Sequence, residues 1–318
     1  MRSNSTKLED SPNPFPPIDM QASRAALWQI HFCVVLWGFT AILGKLITLT
    51  ALALVLWRMS LVAVLLLLLP KVWRGLRKLE WRQIAIYAGI GVMIALHWLT
   101  FYGAIKLSNA SVAVTCIALA PVFLAIIEPI VSRRRFDSRE LVLGVAVIPG
   151  VALVVGGIPR DMHLGVWVGI ASAFFVAVFT SLNKRHVERA DSATVTTIEL
   201  GSGAIFLALI APLLAAPGEA IYPIPGRDDA LMLVVLAVVC TLLPFMVSLR
   251  ALRHVSAFTA QMAVNLEPIY AIVLAIVLLG EQHELDRLFY IGVAIVLAAV
   301  FLQPLLARRS LPVPPIQE

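Results

Sequence analysis

Charge is what this chain has least of. Asp, Glu, Lys and Arg make up 14 % of its 318 residues, against 60 % hydrophobic residues and a mean hydropathy of +0.91. An ordinary soluble domain is about one-quarter charged, so that class is excluded and a polytopic membrane protein is implied. Cysteine is scarce too. Cys33, Cys116 and Cys240 fall inside apolar runs, which predicts free thiols packed as small hydrophobes, not a disulfide framework or a metal site. The chain has no Gly-x-Ser-x-Gly elbow, no Walker loop and no paired intramembrane aspartates, so hydrolysis and nucleotide-driven pumping find no support. Glu281-Gln282-His283-Glu284 has metal-ligand residue types without the His-Glu-x-x-His spacing, and no metal or other cofactor is expected. The net charge of +6 does not point to nucleic acid, because the cations follow topology.

What remains is long apolar runs. About 20 apolar residues span a bilayer core. Windows of that kind lie at 27–47, 51–69, 83–104, 110–131, 141–158, 164–183, 193–216, 230–249, 256–279 and 288–306. If residues 1–26 are a cytoplasmic tail, fourteen Lys and Arg in the inward connections and five in the tails face inward. One each is left for the five outward connections: Lys45, Lys106, Arg160, Arg227 and Arg287. This positive-inside bias predicts that both termini are cytoplasmic. Residues 1–26, polar and Pro-rich without a signal-peptide pattern, read as a disordered tail, as do 307–318.

The chain also repeats itself. Ala104, Ala110, Ala113, Leu119 and Pro121 match Ala251, Ala257, Ala260, Leu266 and Pro268 at one offset, and Gly144-Val145-Ala146 matches Gly292-Val293-Ala294 one residue later. Two homologous halves of five spans, 27–158 and 159–306, insert with opposite orientation because five is odd. The expected fold is an all-α membrane protein of ten helices in two inverted five-helix repeats, with a ligand site at the midplane between them.

Ala260-Gln261-Met262-Ala263-Val264-Asn265-Leu266-Glu267-Pro268 stands out within the ninth window. A carboxylate in hydrocarbon costs several kcal/mol unless it is paired, protonated or wetted. Pro268 frees backbone groups that something must satisfy. Glu267 is therefore a substrate-site candidate, or else it caps or pairs within a structural network. Trp37, Thr241, Asn265 and Glu267, with the helix-breaking prolines Pro121, Pro244 and Pro268, share one depth at 1.5 Å per residue and come from both halves. The prolines are equally readable as packing kinks. His97-Trp98-Leu99-Thr100-Phe101-Tyr102 places His97 and Phe101 on one face and Trp98 and Tyr102 on the next. That strip either stacks flat ligands or, for Trp98 and Tyr102, forms an interfacial belt. Gln261 and Asn265 share a face. Thr115 and Thr180 are hydroxyls at comparable depth, which either touch ligand or bond their own helix carbonyls. Arg58, the cation well inside a span, is expected to snorkel outward or to pair with Glu199 or Glu128.

The doubled five-helix unit, Trp37-Gly38, Arg58, Asn265-Leu266-Glu267-Pro268 and Leu278-Leu279-Gly280-Glu281 together resemble the EamA branch of the drug/metabolite transporter superfamily. Within it they are most similar to the YddG-type exporters of aromatic and other neutral amino acids. The resemblance, over about residues 27–306, implies a multi-pass exporter of small molecules in the bacterial inner membrane. The first half departs from it, with Ala120-Pro121 where the second has Glu267-Pro268, so carboxylate chemistry should be one-sided. The expected function is efflux by alternating access, with Trp37, His97, Phe101, Tyr102, Thr115, Thr180, Thr241, Gln261, Asn265 and Glu267 as the substrate-binding set. Partners are a small-molecule substrate, membrane lipid and, as a candidate coupling ion, the proton. The alternatives are a drug or purine exporter on the same scaffold, and a membrane-embedded enzyme or lipid flippase.

Overall fold

The structure, a computed structural model, describes residues 20–307 apart from 134, 187–189, 215–219 and 265; of the predicted tails, 1–19 and 308–318 lie outside the described residues, while 20–26, expected to be disordered, open the first helix. Helix, without strand, makes up the described secondary structure: α1 (Met20–Leu46), α2 (Ala51–Leu67), α3 (Pro70–Leu76), α4 (Trp81–Leu107), α5 (Ala110–Ile117), α6 (Ala120–Ser132), α7 (Ser138–Val145), α8 (Ile148–Gly156), α9 (His163–His186), α10 (Ser192–Leu214), α11 (Arg227–Ala237), α12 (Leu243–Ala251), α13 (Ala257–Val264), α14 (Glu267–Leu274) and α15 (Arg287–Ala307). Every predicted window carries helix among the described residues. Six uninterrupted or nearly straight stretches are long and apolar enough to cross a membrane, or seven if the bent pair α2–α3 is one span.

Proline accounts for much of the difference. It lacks an N–H and its ring clashes with the preceding turn. Pro70 opens α3 after a 92° bend from α2. Pro121 is the second residue of α6, after a break at Ala118-Leu119, and Pro149 the second of α8, after one at Ala146-Val147. Pro268 is the second residue of α14, and Pro244 follows a π-helical turn, Val238–Leu242, that joins α11 to α12. The three prolines read from the sequence as helix-breaking thus each sit at an interruption.

α4 is the centre of the bundle. It packs on α9 along one side and on α10 along another, while α1 packs on α12 and α14. Small residues allow the close crossings, as in helix packing without a hydrophobic drive. A Cβ on Gly150 of α8 would stand 2.7 Å from the Gly292 carbonyl oxygen of α15, and one on Gly292 would stand 2.5 Å from that of Gly150. The perimeter carries exposed Leu, Ile and Val, such as Leu209, Leu213 and Val277, which suits a hydrocarbon surround.

The connections gather on two sides. On one, called here the basic side, Lys71 meets Asp191 at 3.6 Å, Arg185 donates to the Val131 carbonyl, Arg253 to that of Ala190 and Lys184 to that of Leu252. On the opposite side Lys106 donates to the Ile47 carbonyl, and Thr48 donates to Asp229 through its amide (2.9 Å) and hydroxyl (2.6 Å). Asn109 donates to Glu284 at 3.1 Å. Glu281, 1 % exposed, accepts from the amides of Ala110 (3.0 Å) and Ser111 (2.9 Å) and from the Ser111 hydroxyl (2.6 Å). A carboxylate there satisfies orphan N–H groups at the start of α5 and complements its dipole. It also fastens the N-terminal half of the chain to the C-terminal half.

Candidate functional site

A cavity of about 110 Å³ lies inside the bundle, bordered by α1, α2, α4, α5, α9, α12, α13 and α14. At roughly 10–15 Å³ per water on this measure, it holds several waters. Its lining reaches Asn183 and Leu252 at the basic-side ends of α9 and α12, and stops at Phe101 and Arg58 short of the interlocked connections. The cavity therefore spans the middle of the bundle and the half toward the basic side.

Two ionisable side chains meet there. Glu267 is the first residue of α14, 9 % exposed and on the cavity wall. Among the described residues it has neither a hydrogen bond nor an ion pair. Its helix position puts a carboxylate where the N-terminal dipole favours one. Arg58 of α2, 2 % exposed, borders the same cavity. Its Nε donates to Thr241 Oγ1 at 2.6 Å, its Nη1 to the Tyr102 hydroxyl at 2.7 Å and its Nη2 to the Cys240 carbonyl at 3.5 Å. Its guanidinium carbon lies 3.8 Å from the centre of the Trp98 ring, a cation–π geometry. The Arg58 guanidinium and the Glu267 carboxyl border one cavity, but no ion pair within 4.0 Å joins them. Each retains capacity for a ligand.

The walls between them are aromatic. Trp37, Trp98, Phe101, Phe179 and Phe245 border the cavity. His97 stacks on Phe101, with centroids 6.1 Å apart, and tilts against Phe179 at 5.5 Å. His97 Nδ1 lies 3.0 Å from the Ser172 carbonyl oxygen, while the Ser172 hydroxyl donates to the His97 carbonyl. The Ser172 hydroxyl also lies 2.8 Å from Nδ1; the carbonyl contact calls for a proton on Nδ1, while the hydroxyl contact fits either tautomer.

Of the predicted site residues, the structure gathers Trp37, His97, Phe101, Thr180 and Glu267 on the cavity wall. Tyr102 and Thr241 stand one layer behind, holding Arg58. Thr115 is buried and donates to its own helix at the Ser111 carbonyl, 2.7 Å. Asn265 and the side chain of Gln261 lie outside the described residues.

Two expectations need correction. Arg58 neither snorkels nor pairs with Glu199 or Glu128; it turns inward, because two hydroxyls and an indole face satisfy it at depth. Trp98 and Tyr102 form no interfacial belt, being 7 % and 0 % exposed inside the bundle. Sequence reading also missed Asn183, Phe179 and Ser248 on the wall. Asn183 precedes Lys184-Arg185 and reads as the end of a span; nothing in the pattern marks it as lining.

The model of the EamA-like transporter family matches this chain twice, over residues 25–156 and 163–303. An uncharacterized transporter of Clostridium kluyveri is 25 % identical over 211 residues, 64 % of this chain and 66 % of that protein, just under two thirds of its length. A protein of known crystal structure superposes with a TM-score of 0.66 over 90 % of this chain and 98 % of its own, at 16 % identity, a likeness of fold alone.

Proposed function

From the premise that the chain belongs to the EamA-like transporter family, and is thus a multi-pass membrane transporter, we propose that it exports zwitterionic small molecules, foremost aromatic and other neutral amino acids. One observation carries this reading. A single cavity presents a guanidinium and a carboxylate that are not neutralised by each other, with flat rings between them. A zwitterion supplies the two complementary charges. Its carboxylate suits the planar donor fork of Arg58, its ammonium suits Glu267, and its side chain suits the rings of Trp37, Phe101 and Phe179.

Direction follows from charge. The positive-inside bias makes the basic side cytoplasmic, so the cavity loads from the cytoplasm while the interlock at Thr48, Asn109, Ser111 and Glu281 closes the outer side. Export then needs that interlock to part and the basic-side contacts to close. The two family matches support reading the halves as inverted repeats that rock about the cavity. The bacterial inner membrane is the location this reading implies.

The test is efflux of radiolabelled L-tryptophan from proteoliposomes of the full chain. Saturable efflux that Glu267→Gln slows is expected. Unchanged rates and selectivity in Glu267→Gln would remove Glu267 from the site, and efflux of a drug or purine without any tryptophan flux would replace the cargo.

A further inference from the structure

A second acid lies deeper than Glu267 and takes no part in the site above. Glu199, in the first half of α10, is 0 % exposed, and neither carboxylate oxygen makes a hydrogen bond of standard geometry. It sits at a close crossing of α4 and α10. A Cβ on Gly91 of α4 would lie 2.1 Å from the Glu199 carbonyl oxygen, and the next serine, Ser202, donates to the Ala88 carbonyl across the same contact. That crossing shuts out lipid and water on its own side. Asn183 of α9 reaches the Glu199 carboxyl from the other. Asn183 is itself 2 % exposed, its Oδ1 is buried without a hydrogen bond, and its side chain borders the cavity. One amide thus has the cavity on one side and a fully buried carboxyl on the other.

Among the charged and titratable groups on the packed elements, His97 of α4 lies against Ser172, Lys184 and Arg185 of α9 donate to the Leu252 and Val131 carbonyls, and His186 of α9 is buried. Arg58 of α2 is held by Thr241 and Tyr102. Lys71 of α3 pairs with Asp191 at the surface. Tyr87 of α4 donates to the His186 carbonyl of α9, and Arg250 of α12 is exposed. No ion pair to Glu199 is formed among the described residues. A bare carboxylate in such surroundings is strongly disfavoured, and the ordinary remedy is to bind a proton.

We propose that Glu199 is a proton-carrying site joined to the central cavity through Asn183. In the state seen here the side chain is a neutral acid. In the opposite state, with the α4–α10 crossing and the Asn183 contact rearranged, its carboxyl O–H bond breaks. The proton passes to water in the cavity and the carboxylate is left, to be reprotonated from the cavity on return. The site couples one proton to each cycle. The coupling rests on the transport reading; the proton site does not.

The experiment separates the two. Infrared spectra of the full chain in lipid are recorded against pH, for the wild type, Glu199→Gln and Glu199→Asp. A protonated-carboxyl band that persists at neutral pH is expected in the wild type, absent in Glu199→Gln and shifted in Glu199→Asp. Identical spectra in wild type and Glu199→Gln would overturn the proposal. So would a wild-type band abolished by sodium but not by potassium, which would make the site a cation site. Coupling is read in proteoliposomes holding a pH dye under an L-tryptophan gradient. The wild type should move protons with tryptophan, while Glu199→Gln should equilibrate tryptophan without the pH change. Equal pH changes would refute the coupling. Absence of any tryptophan flux would refute the cargo and leave the infrared result to stand or fall alone.

Discussion

Arg58→Met separates a working guanidinium from a structural one. The substitution keeps an unbranched stem of similar length and removes the charge and the donor fork. Its cost to binding can be worked from burial. Truncating one partner of a desolvated, hydrogen-bonded charge pair costs about 2–5 kcal/mol. The cavity admits water, which lowers this to about 2–3 kcal/mol for a carboxylate on Arg58, or roughly 30- to 150-fold in half-saturation at 1.4 kcal/mol per decade. Stability should move the other way. Thr241 keeps its bond to the Leu236 carbonyl at 2.6 Å, and Tyr102 keeps Thr40 within reach. Removing a buried cation that lacks an ion pair relieves its desolvation, so the melting temperature should hold or rise. The assay is efflux of tryptophan, tryptamine and indole-3-propionate from liposomes, with thermal unfolding alongside. Arg58→Met should spare tryptamine, which has no carboxylate. Glu267→Gln should spare indole-3-propionate, which has no ammonium. Unfolding of Arg58→Met at much lower temperature, or equal losses for tryptophan and tryptamine, would refute the reasoning and make Arg58 a scaffold residue.

Glu281→Gln should loosen the opposite-side interlock by about 1–2 kcal/mol, the scale of a lost charged cap, shifting the closed population 5- to 30-fold. A cysteine placed at Thr40 should then react faster with a membrane-impermeant maleimide added from that side, and unchanged labelling would show that Glu281 is no latch. Gly91→Ala drives a methyl group to 2.1 Å from the Glu199 carbonyl and should cost about 1–3 kcal/mol of stability, whereas Gly89→Ala meets nothing within 4 Å and should be neutral or better in thermal unfolding. At Asp191 burial raises the carboxyl's pKa, but the Thr194 hydroxyl and amide, Lys71 and the Ala193 amide outweigh it and hold it below the usual carboxylate range. Its contribution is therefore complete above about pH 4 and is lost as pH falls through the folded value. Amide exchange at the start of α10 should quicken only in that acid range, and quickening near neutral pH would contradict the assignment.

The large-scale features were legible because they are compositional. Twenty-residue apolar windows and sided arginines need no tertiary knowledge, and the windows do carry helix. Glu267 was legible as well, since a carboxylate beside a proline in an apolar run violates the local pattern. Arg58 shows where reading stops. The sequence marks it as an anomaly, but whether a buried cation turns to lipid, to a carboxylate or to a cavity depends on which hydroxyls other helices bring. Thr241 is 183 residues away and Tyr102 is 44. Nothing in the spacing of α2 encodes their approach. Asn183 was invisible for a different reason: an amide just before Lys184-Arg185 is what a span end normally looks like, and only the packing of α9 on α4 turns it inward.

The halves are unequal in a way that bears on mechanism. Arg58 is the eighth residue of α2, counted from Ala51, and Glu199 is the eighth of α10, counted from Ser192. Under the inverted-repeat reading these helices are counterparts, so a buried cation in one half answers to a buried acid in the other. Glu267 likewise answers to Ala120 beside Pro121. Both acids belong to the second half and the cation to the first. The cavity brings the three together, Arg58 and Glu267 on its wall and Glu199 behind Asn183. A rocking motion that moves one half against the other must change the distance from Arg58 to both acids. Substrate charge and proton charge would then feel the same motion, and neither acid could be neutralised without altering the affinity at Arg58. Tryptophan half-saturation in Glu199→Gln should therefore lose its dependence on pH while keeping its dependence on Arg58. Retention of the full wild-type pH dependence in that variant would show that the two charges move independently.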